Sequence, residues 1–210
     1  MSEIAKKTAE HLLRLEAVKL SPKAPFTWAS GWKSPIYCDN RVTLSDVEAR
    51  TFIKTALATT IKEYFPSVTA ISGVATGAIA QGALVADLLG LPFSYIRSKA
   101  KDHGMENLIE GRIQSTDKVV VVEDLISTGG SSLKAVEALR AHGCEVLGMV
   151  AIYTHGISKA VETFAEAGVQ LYTLSNYDMV VEQAVESGYI SSNDLAMLRE
   201  WRKDPANWGK

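Results

Sequence analysis

The sequence predicts an α/β fold, in which a parallel sheet carries helices on both faces and a small hood precedes it. Three observations point that way. From Val68 onward, short apolar runs alternate with helical stretches, the pattern of strand–helix–strand units. The run Val119-Val120-Val121-Val122 is apolar at every position, as expected of a strand buried on both faces. Gly90 and Gly143 follow helical stretches, where a glycine ends a helix at little steric cost.

Ile4 to Val18 reads as a helix, with Ile4, His11, Leu12, Leu15 and Val18 on one stripe. His11 on that stripe is expected to be packed or to face another subunit. Ser21-Pro22 and Pro25 break the helix. Phe26 to Cys38 then reads as two short extended pieces around a turn at Ser30-Gly31. Ser45 with Glu48 has the spacing of a capping box and opens a helix to about Tyr64. Val68 to Ser72 is predicted as a strand, Ala75 to Leu89 as a helix and Phe93 to Arg97 as a strand. Ser98 to Arg112 is polar and lacks periodicity. After Val119–Val122 come a helix over Ser132–Ala141, a strand over Glu145–Tyr153, a helix over Ser158–Ala167 and a strand over Val169–Leu174. Two helices, about Asp178–Ser187 and Ser192–Arg202, complete the pattern.

The chain has 210 residues, 47% of them hydrophobic and 22% charged, with a formal net charge of -2. This length gives one domain a full core, so a single domain over residues 1–210 is expected, with the hood over about 1–40. The charge balance argues against nucleic acid as the main partner, since that binding needs a basic surface. Cys38 and Cys144 match no metal spacing and read as small buried residues in a reducing compartment. Met1 to Ala9 holds no apolar run, and no stretch approaches the ~20 apolar residues that cross a bilayer. A soluble cytoplasmic protein without membrane contact is expected.

Ligands of parallel sheets bind beyond the carboxyl ends of the strands, which directs attention to Glu123-Asp124-Leu125-Ile126-Ser127-Thr128-Gly129-Gly130-Ser131-Ser132. Glycines let backbone N–H groups converge, and the helix start adds positive partial charge. Together they form a phosphate cradle, with Ser127, Thr128, Ser131 and Ser132 as further hydroxyl donors. A plain strand, turn and helix cap would account for Gly129-Gly130 alone. It does not account for two adjacent acids, because carboxylates repel phosphate. The acids fit a ligand that carries both a phosphate and a polyol, whose hydroxyls donate to carboxylates. No G-x-x-x-x-G-K-[ST] occurs, and Gly73-Val74-Ala75-Thr76-Gly77 does not match G-x-G-x-x-G. That second glycine segment is either another phosphate loop or a simple strand-to-helix turn.

VVVVEDLISTGGSS resembles the signature by which type I phosphoribosyltransferases bind phosphoribosyl pyrophosphate (PRPP). Arg97-Ser98-Lys99-Ala100-Lys101-Asp102-His103-Gly104 resembles the mobile catalytic loop of the orotate phosphoribosyltransferases, and FTWASGWKSPIYCDNR resembles their hood. The resemblance implies a type I phosphoribosyltransferase fold with a mobile loop over about 98–111. It implies transfer of the phosphoribosyl group of PRPP to orotate in pyrimidine biosynthesis, with Mg²⁺ carried by PRPP rather than by a protein cage. It also implies a homodimer in which one subunit's loop closes over the other's site.

Residue by residue, the resemblance implies that Glu123 and Asp124 hold the ribose hydroxyls. Leu125 and Ile126 would join Ser127, Thr128, Gly129, Gly130 and Ser131 around the 5-phosphate. Arg97, Lys101 and His103 would face the departing pyrophosphate. Asp124, Lys101 and His103 are the catalytic candidates, and Ser127 and Lys33 the orotate contacts. Apart from the family, Arg97, Lys99, Lys101, His103 and Arg112 place titratable or positive groups in one short region, where a solvated charged loop is the plain alternative.

Two positions depart from the family pattern. Many members carry a Lys where this chain has Ala29, and an Arg where it reads Thr154-His155-Gly156. Lys33 and His155 are the candidates to compensate, with a solvated loop histidine as the other reading of His155. Trp28, Trp32, Trp201 and Trp208 are scattered along the sequence and are expected to serve packing or subunit contacts. A purine-specific transferase and a non-catalytic PRPP sensor are the competing functions, separable by base specificity and by turnover.

Overall fold

The computed structural model describes residues 2–28, 30–98 and 108–209. Helix α1 (Ser2–Arg14) presents Leu12 and Leu13 to the interior. It ends earlier than its apolar stripe predicts, because Glu16 turns the chain at φ 53. Val18 instead begins strand β1 (Val18–Leu20), which pairs antiparallel with β4 (Ile36–Cys38), Val18 opposite Cys38. Between them, β2 (Phe26–Thr27) and β3 (Lys33–Ser34) form the expected hairpin. Its turn needs Gly31, which sits at φ +84. A 3-10 turn over Asn40–Ser45 leads into α2 (Val47–Tyr64).

The predicted capping box at Ser45 does not form. Ser45 closes the 3-10 turn, and Asp46 has the extended backbone of a cap residue. Its carboxylate accepts the Ala49 N–H at 2.8 Å and pairs with Arg14 at 3.1 Å. One side chain therefore both caps α2 and ties it to α1.

Among the described residues the main sheet contains β5 (Ala70–Val74), β6 (Phe93–Ile96), β7 (Ile109–Glu110), β8 (Lys118–Ile126), β9 (Glu145–Thr154) and β10 (Leu171–Asn176), in the order β10-β9-β8-β5-β6-β7. Every neighbouring pair is parallel except β6 with β7. Strand β7 corrects the expectation that Ser98–Arg112 lacks regular structure throughout. Ile109 is 6% exposed, and the Arg97 N–H reaches the Leu108 carbonyl at 2.8 Å. Residues 99–107, including Lys101 and His103, lie outside the described residues, as does Ala29.

The valine run behaves as a strand buried on both faces must. Val120 and Val122 pack with Ile53, Leu57 and Ile61 of α2 and with Val85 of α3 (Ile79–Leu89). Val119 and Val121 point the other way, toward Val136 and Leu139 of α4 (Gly130–Ala141) and Phe164 of α5 (Ser158–Glu166). All four valines are fully buried, each contributing about 1.5–3 kcal/mol of apolar burial. Helix α6 (Tyr177–Glu186) follows β10, and α7 (Leu195–Lys203) buries Trp201 completely. Two boundary differences bear on the site. Helix α3 starts at Ile79, which leaves Ala75–Ala78 as a turn. Strand β8 runs to Ile126, so Leu125 and Ile126 belong to the strand and not to the loop after it.

The chain passes from β5 to β6 on one side, while β8 lies against the other side of β5. The connections beyond β5 and β8 therefore diverge and leave a crevice between their carboxyl ends, the topological switch point at which such sheets bind ligands.

Candidate active site

A cavity of about 300 Å³ occupies that crevice, lined by Thr76 and Gly77 beyond β5 and by Glu123, Asp124, Ser127 and Thr128 at the end of β8. The two acids have different environments. Glu123 is 5% exposed, its carboxyl accepting the Asp124 N–H at 3.0 Å and the Ser132 hydroxyl at 2.8 Å. Burial, with the Asp124 charge next to it, pushes this carboxyl well above the usual carboxylate range, and the two hydrogen bonds offset only part of that. Asp124 is half-buried, and its carboxylate packs directly against Gly77. A Cβ at Gly77 would overlap the Asp124 carboxylate, so a glycine is required there for the two loops to close on each other.

The loop Ser127–Gly129 leads directly into α4. Gly129 adopts φ +84, and a Cβ there would meet Phe164 at 2.9 Å. Among the described residues no side-chain cap bond closes the start of α4, so the N–H groups of its first turn, next to the cavity-lining Ser127–Gly129, have no capping oxygen. Ser127 is half-buried, and Thr128, Gly130 and Ser131 are exposed. Ser132 is not free to serve a ligand, contrary to expectation, because its hydroxyl is committed to Glu123. Ile126 is fully buried, and its carbonyl accepts the His155 N–H at 3.1 Å. The segment Gly73–Gly77, left open between loop and turn, lines the same cavity as the acids, and its Ala75–Thr76 peptide is cis.

A second cavity, about 340 Å³, lies under the hood between Thr27, Trp28, Tyr37, Cys38 and His155. Leu125 and Ser127 line both cavities, so the two meet at the end of β8. His155 is not the solvated loop histidine considered above. It is 1% exposed, its ring lies 5.1 Å from that of Trp28 at 28°, and its Nδ1 is 3.2 Å from the Tyr153 hydroxyl. Burial among rings pushes its pKa down to about 3 and keeps the imidazole neutral. The scattered tryptophans converge here. Trp28 stacks on His155, and Trp201 meets both rings edge-on at 5.6 and 5.8 Å. Trp201 thus serves packing, as expected, while Trp28 also presents a face to the cavity. Lys33 is exposed, and its ammonium donates to Thr27 at 2.8 Å, on the rim of this cavity.

A third cavity of about 460 Å³ adjoins the first across Val74, Ala75 and Ser131, with Arg97 and Lys134 on its walls. Arg97 lies 3.4 Å from Glu110. The structure therefore gathers Arg97, Glu123, Asp124, Ser127, Thr128, Gly129 and Ser131 on the walls of adjoining cavities, whereas Lys33 reaches them only through its bond to Thr27. Sequence reasoning missed Lys134 and the Thr27–Tyr37–Cys38 wall, and it reads Asn40 only as part of a polar turn, Asp39-Asn40-Arg41, supporting the hood; its buried amide in fact donates to the Asp124 carbonyl at 2.6 Å. Thr27, Tyr37, Cys38 and Asn40 all fall within the hood-like segment 26–41, whereas Lys134 carries no comparable signal.

A family model for the phosphoribosyl transferase domain matches residues 46–181. The orotate phosphoribosyltransferase of Porphyromonas gingivalis is 62% identical over 209 residues, covering 100% of both chains. That of Bacteroides fragilis is 60% identical over 99% of this chain and 98% of its own. Among solved structures, the orotate phosphoribosyltransferase of Aeropyrum pernix superposes with a TM-score of 0.76 at 30% identity, over 87% of this chain and 99% of that one. The UMP synthase of Leishmania donovani, at 23% identity and a TM-score of 0.77, shares the fold over 94% of this chain and 42% of its own.

Proposed function

The chain belongs to the orotate phosphoribosyltransferase family, and we infer that it transfers the phosphoribosyl group of PRPP to orotate, giving orotidine 5'-monophosphate and pyrophosphate in de novo pyrimidine synthesis. One observation carries this reading: the acid-bearing cavity and the aromatic cavity share Leu125 and Ser127. A phosphosugar in the first and a flat base in the second would meet where the new bond must form.

In this reading the 5-phosphate sits at Ser127–Ser131, against the N–H groups that open α4. Asp124 and Glu123 receive the ribose hydroxyls. Burial and the neighbouring Asp124 raise the Glu123 carboxyl, which disfavours a second negative charge beside the phosphates. The base nitrogen bonds to the anomeric carbon as the bond from that carbon to the pyrophosphate oxygen breaks, and the proton that the nitrogen loses leaves on the departing pyrophosphate or to solvent. Positive charge builds on the ribose next to Asp124 and negative charge on pyrophosphate toward Arg97. Fixed groups aimed at developing charge are typically the largest catalytic contribution.

Orotate stacks against the Trp28 and His155 side of its cavity, with Ser127 and Lys33 meeting its polar edge. Lys101 and His103 complete the pyrophosphate side and exclude water from the activated sugar. Among the described residues no three His, Cys, Asp or Glu side chains form a metal cage. The donor set suits a magnesium ion carried by PRPP, since Mg²⁺ takes oxygen ligands and retains water and Asp124 offers a carboxylate at the cavity wall. Bound there, it would offset phosphate charge.

We also propose a homodimer in which the Lys101 loop of one subunit closes over the site of the other, working in the cytoplasm. No described helix is long and apolar enough to cross a membrane. Activity that falls with the dimer on dilution supports this assembly, and a fully active monomer refutes it.

The reaction itself is tested by offering orotate, uracil, hypoxanthine, xanthine and adenine separately with PRPP and Mg²⁺ and following pyrophosphate release. Release with orotate alone is expected. Release with a purine overturns the base assignment, and tight PRPP binding without release from any base overturns the catalytic one.

A further inference from the structure

We propose that Asn40 is a positioning residue that fixes Asp124 relative to the base cavity. The need for it arises in the sheet. Strand β8 pairs with β9 as far as Ile126, but with β5 only as far as Val122, opposite Gly73. Beyond Val122 the backbone that carries the acids has lost a sheet partner on the β5 side. A buried carbonyl without a donor is costly, and the donor here is a side chain from the end of the hood. Asn40 is 1% exposed, and its Nδ2 donates to the Asp124 carbonyl at 2.6 Å.

The amide has one workable orientation. The Asp124 carbonyl only accepts, so the NH₂ must face it. The Asn40 Oδ1 on the other side accepts the Cys38 thiol at 3.3 Å. The Asn40 backbone is fixed as well, its carbonyl accepting the Thr43 hydroxyl at 2.6 Å, and that hydroxyl accepts in turn from Gln81 Nε2 at 3.3 Å. On the opposite side of Asp124, Gly77 leaves the carboxylate no room to retreat. Cys38 lines the base cavity, so one amide registers the wall that receives the base against the strand that receives the sugar. A small displacement of Asp124 would then lower turnover while the phosphate contacts, made elsewhere, keep PRPP bound.

The inference rests on the reading of Asp124 at the ribose, and the test separates the two. Asn40→Leu keeps the volume and removes the donor. The expected result is a cooperative melt, a kcat at least tenfold lower per PRPP-binding site, and a calorimetric Kd for PRPP within threefold of wild type. A purely structural role would lower the number of binding sites or the melting temperature and leave kcat per site unchanged. Should Asn40→Leu fail to melt cooperatively, Thr43→Val, which loosens the Asn40 backbone, carries the test with an expected kcat loss of threefold or more at unchanged Kd. A wild-type kcat per site in whichever variant is folded overturns the proposal. Wild-type protein that releases no pyrophosphate with orotate removes the functional reading and this inference together. An active wild type beside an equally active variant removes this inference alone.

Discussion

Replacing His155 with phenylalanine should flatten the loss of stability that the protein suffers on acidification. The imidazole is 1% exposed and sits among Trp28, Tyr153 and Trp201, and burial pushes its pKa from an ordinary 6.5 down to about 3. The folded protein therefore binds fewer protons at this site than the unfolded chain does between those values. Its contribution is present above pH 6.5 and is lost as the pH falls below 6.5, until the folded pKa is reached. Each pH unit in that window is worth about 1.4 kcal/mol, so moving from pH 7 to pH 5 costs about 2 kcal/mol from this residue alone. For a chain of this size that is roughly 4–8 °C in melting temperature. The assay is thermal unfolding of wild type and His155→Phe at half-unit steps from pH 8 to pH 5. His11, whose pKa is also lowered by burial, is present in both proteins and cancels in the comparison. The difference between the two slopes is the readout, so a uniform shift from altered packing does not disturb it. Parallel curves would refute the claim that His155 is buried neutral without a compensating charge.

The other predictions concern the buried carboxyl, the glycine between the loops and the lysine loop. Burial raises the Glu123 carboxyl, so its contribution is full below the ordinary carboxyl range and declines as the pH rises above it. Glu123→Gln should therefore show a flatter stability curve from pH 5 to pH 8 in urea unfolding while binding PRPP more weakly, and an unchanged slope would count against a Glu123 carboxyl raised by burial. Gly77→Ala places a Cβ on the Asp124 carboxylate. It should lower kcat/KM by about 10²-fold, the scale of a displacement near 1 Å, and steady-state kinetics at wild-type level would show that the loops are free to part. Lys101→Ala should lower kcat roughly 10²–10³-fold, as removal of one stabilising donor does, with orotate binding by calorimetry little changed. Wild-type turnover in that variant would remove Lys101 from the mechanism.

The parallel sheet and the chemistry at its centre are legible in the order of residues along the chain. A run of four valines has one good solution, burial on both faces, and the acids and glycines that follow it belong at the carboxyl end of that strand. Local order in the chain is enough to place Glu123, Asp124 and the Ser127–Ser131 loop, because they are adjacent in sequence and their roles follow from their types. Element ends were less legible. Val18 continues a helical stripe yet pairs as a strand, and Asp46 takes the cap that Ser45 was expected to hold, because tertiary partners in β4 and α1 outweigh local spacing.

Relations between distant segments emerge only once the chain is folded. Ser132 was a plausible phosphate donor until the fold placed Glu123 2.8 Å from its hydroxyl. His155 read equally well as a solvated histidine until Trp28 and Trp201, 127 and 46 residues away in sequence, closed around it. Asn40 acquired its partner across 84 residues of chain. Periodicity and motif spacing carry information over a few turns or one strand. They carry none about which buried amide meets which carbonyl, because that is set by the order of strands in the sheet and by the need to pair every polar group the fold has buried.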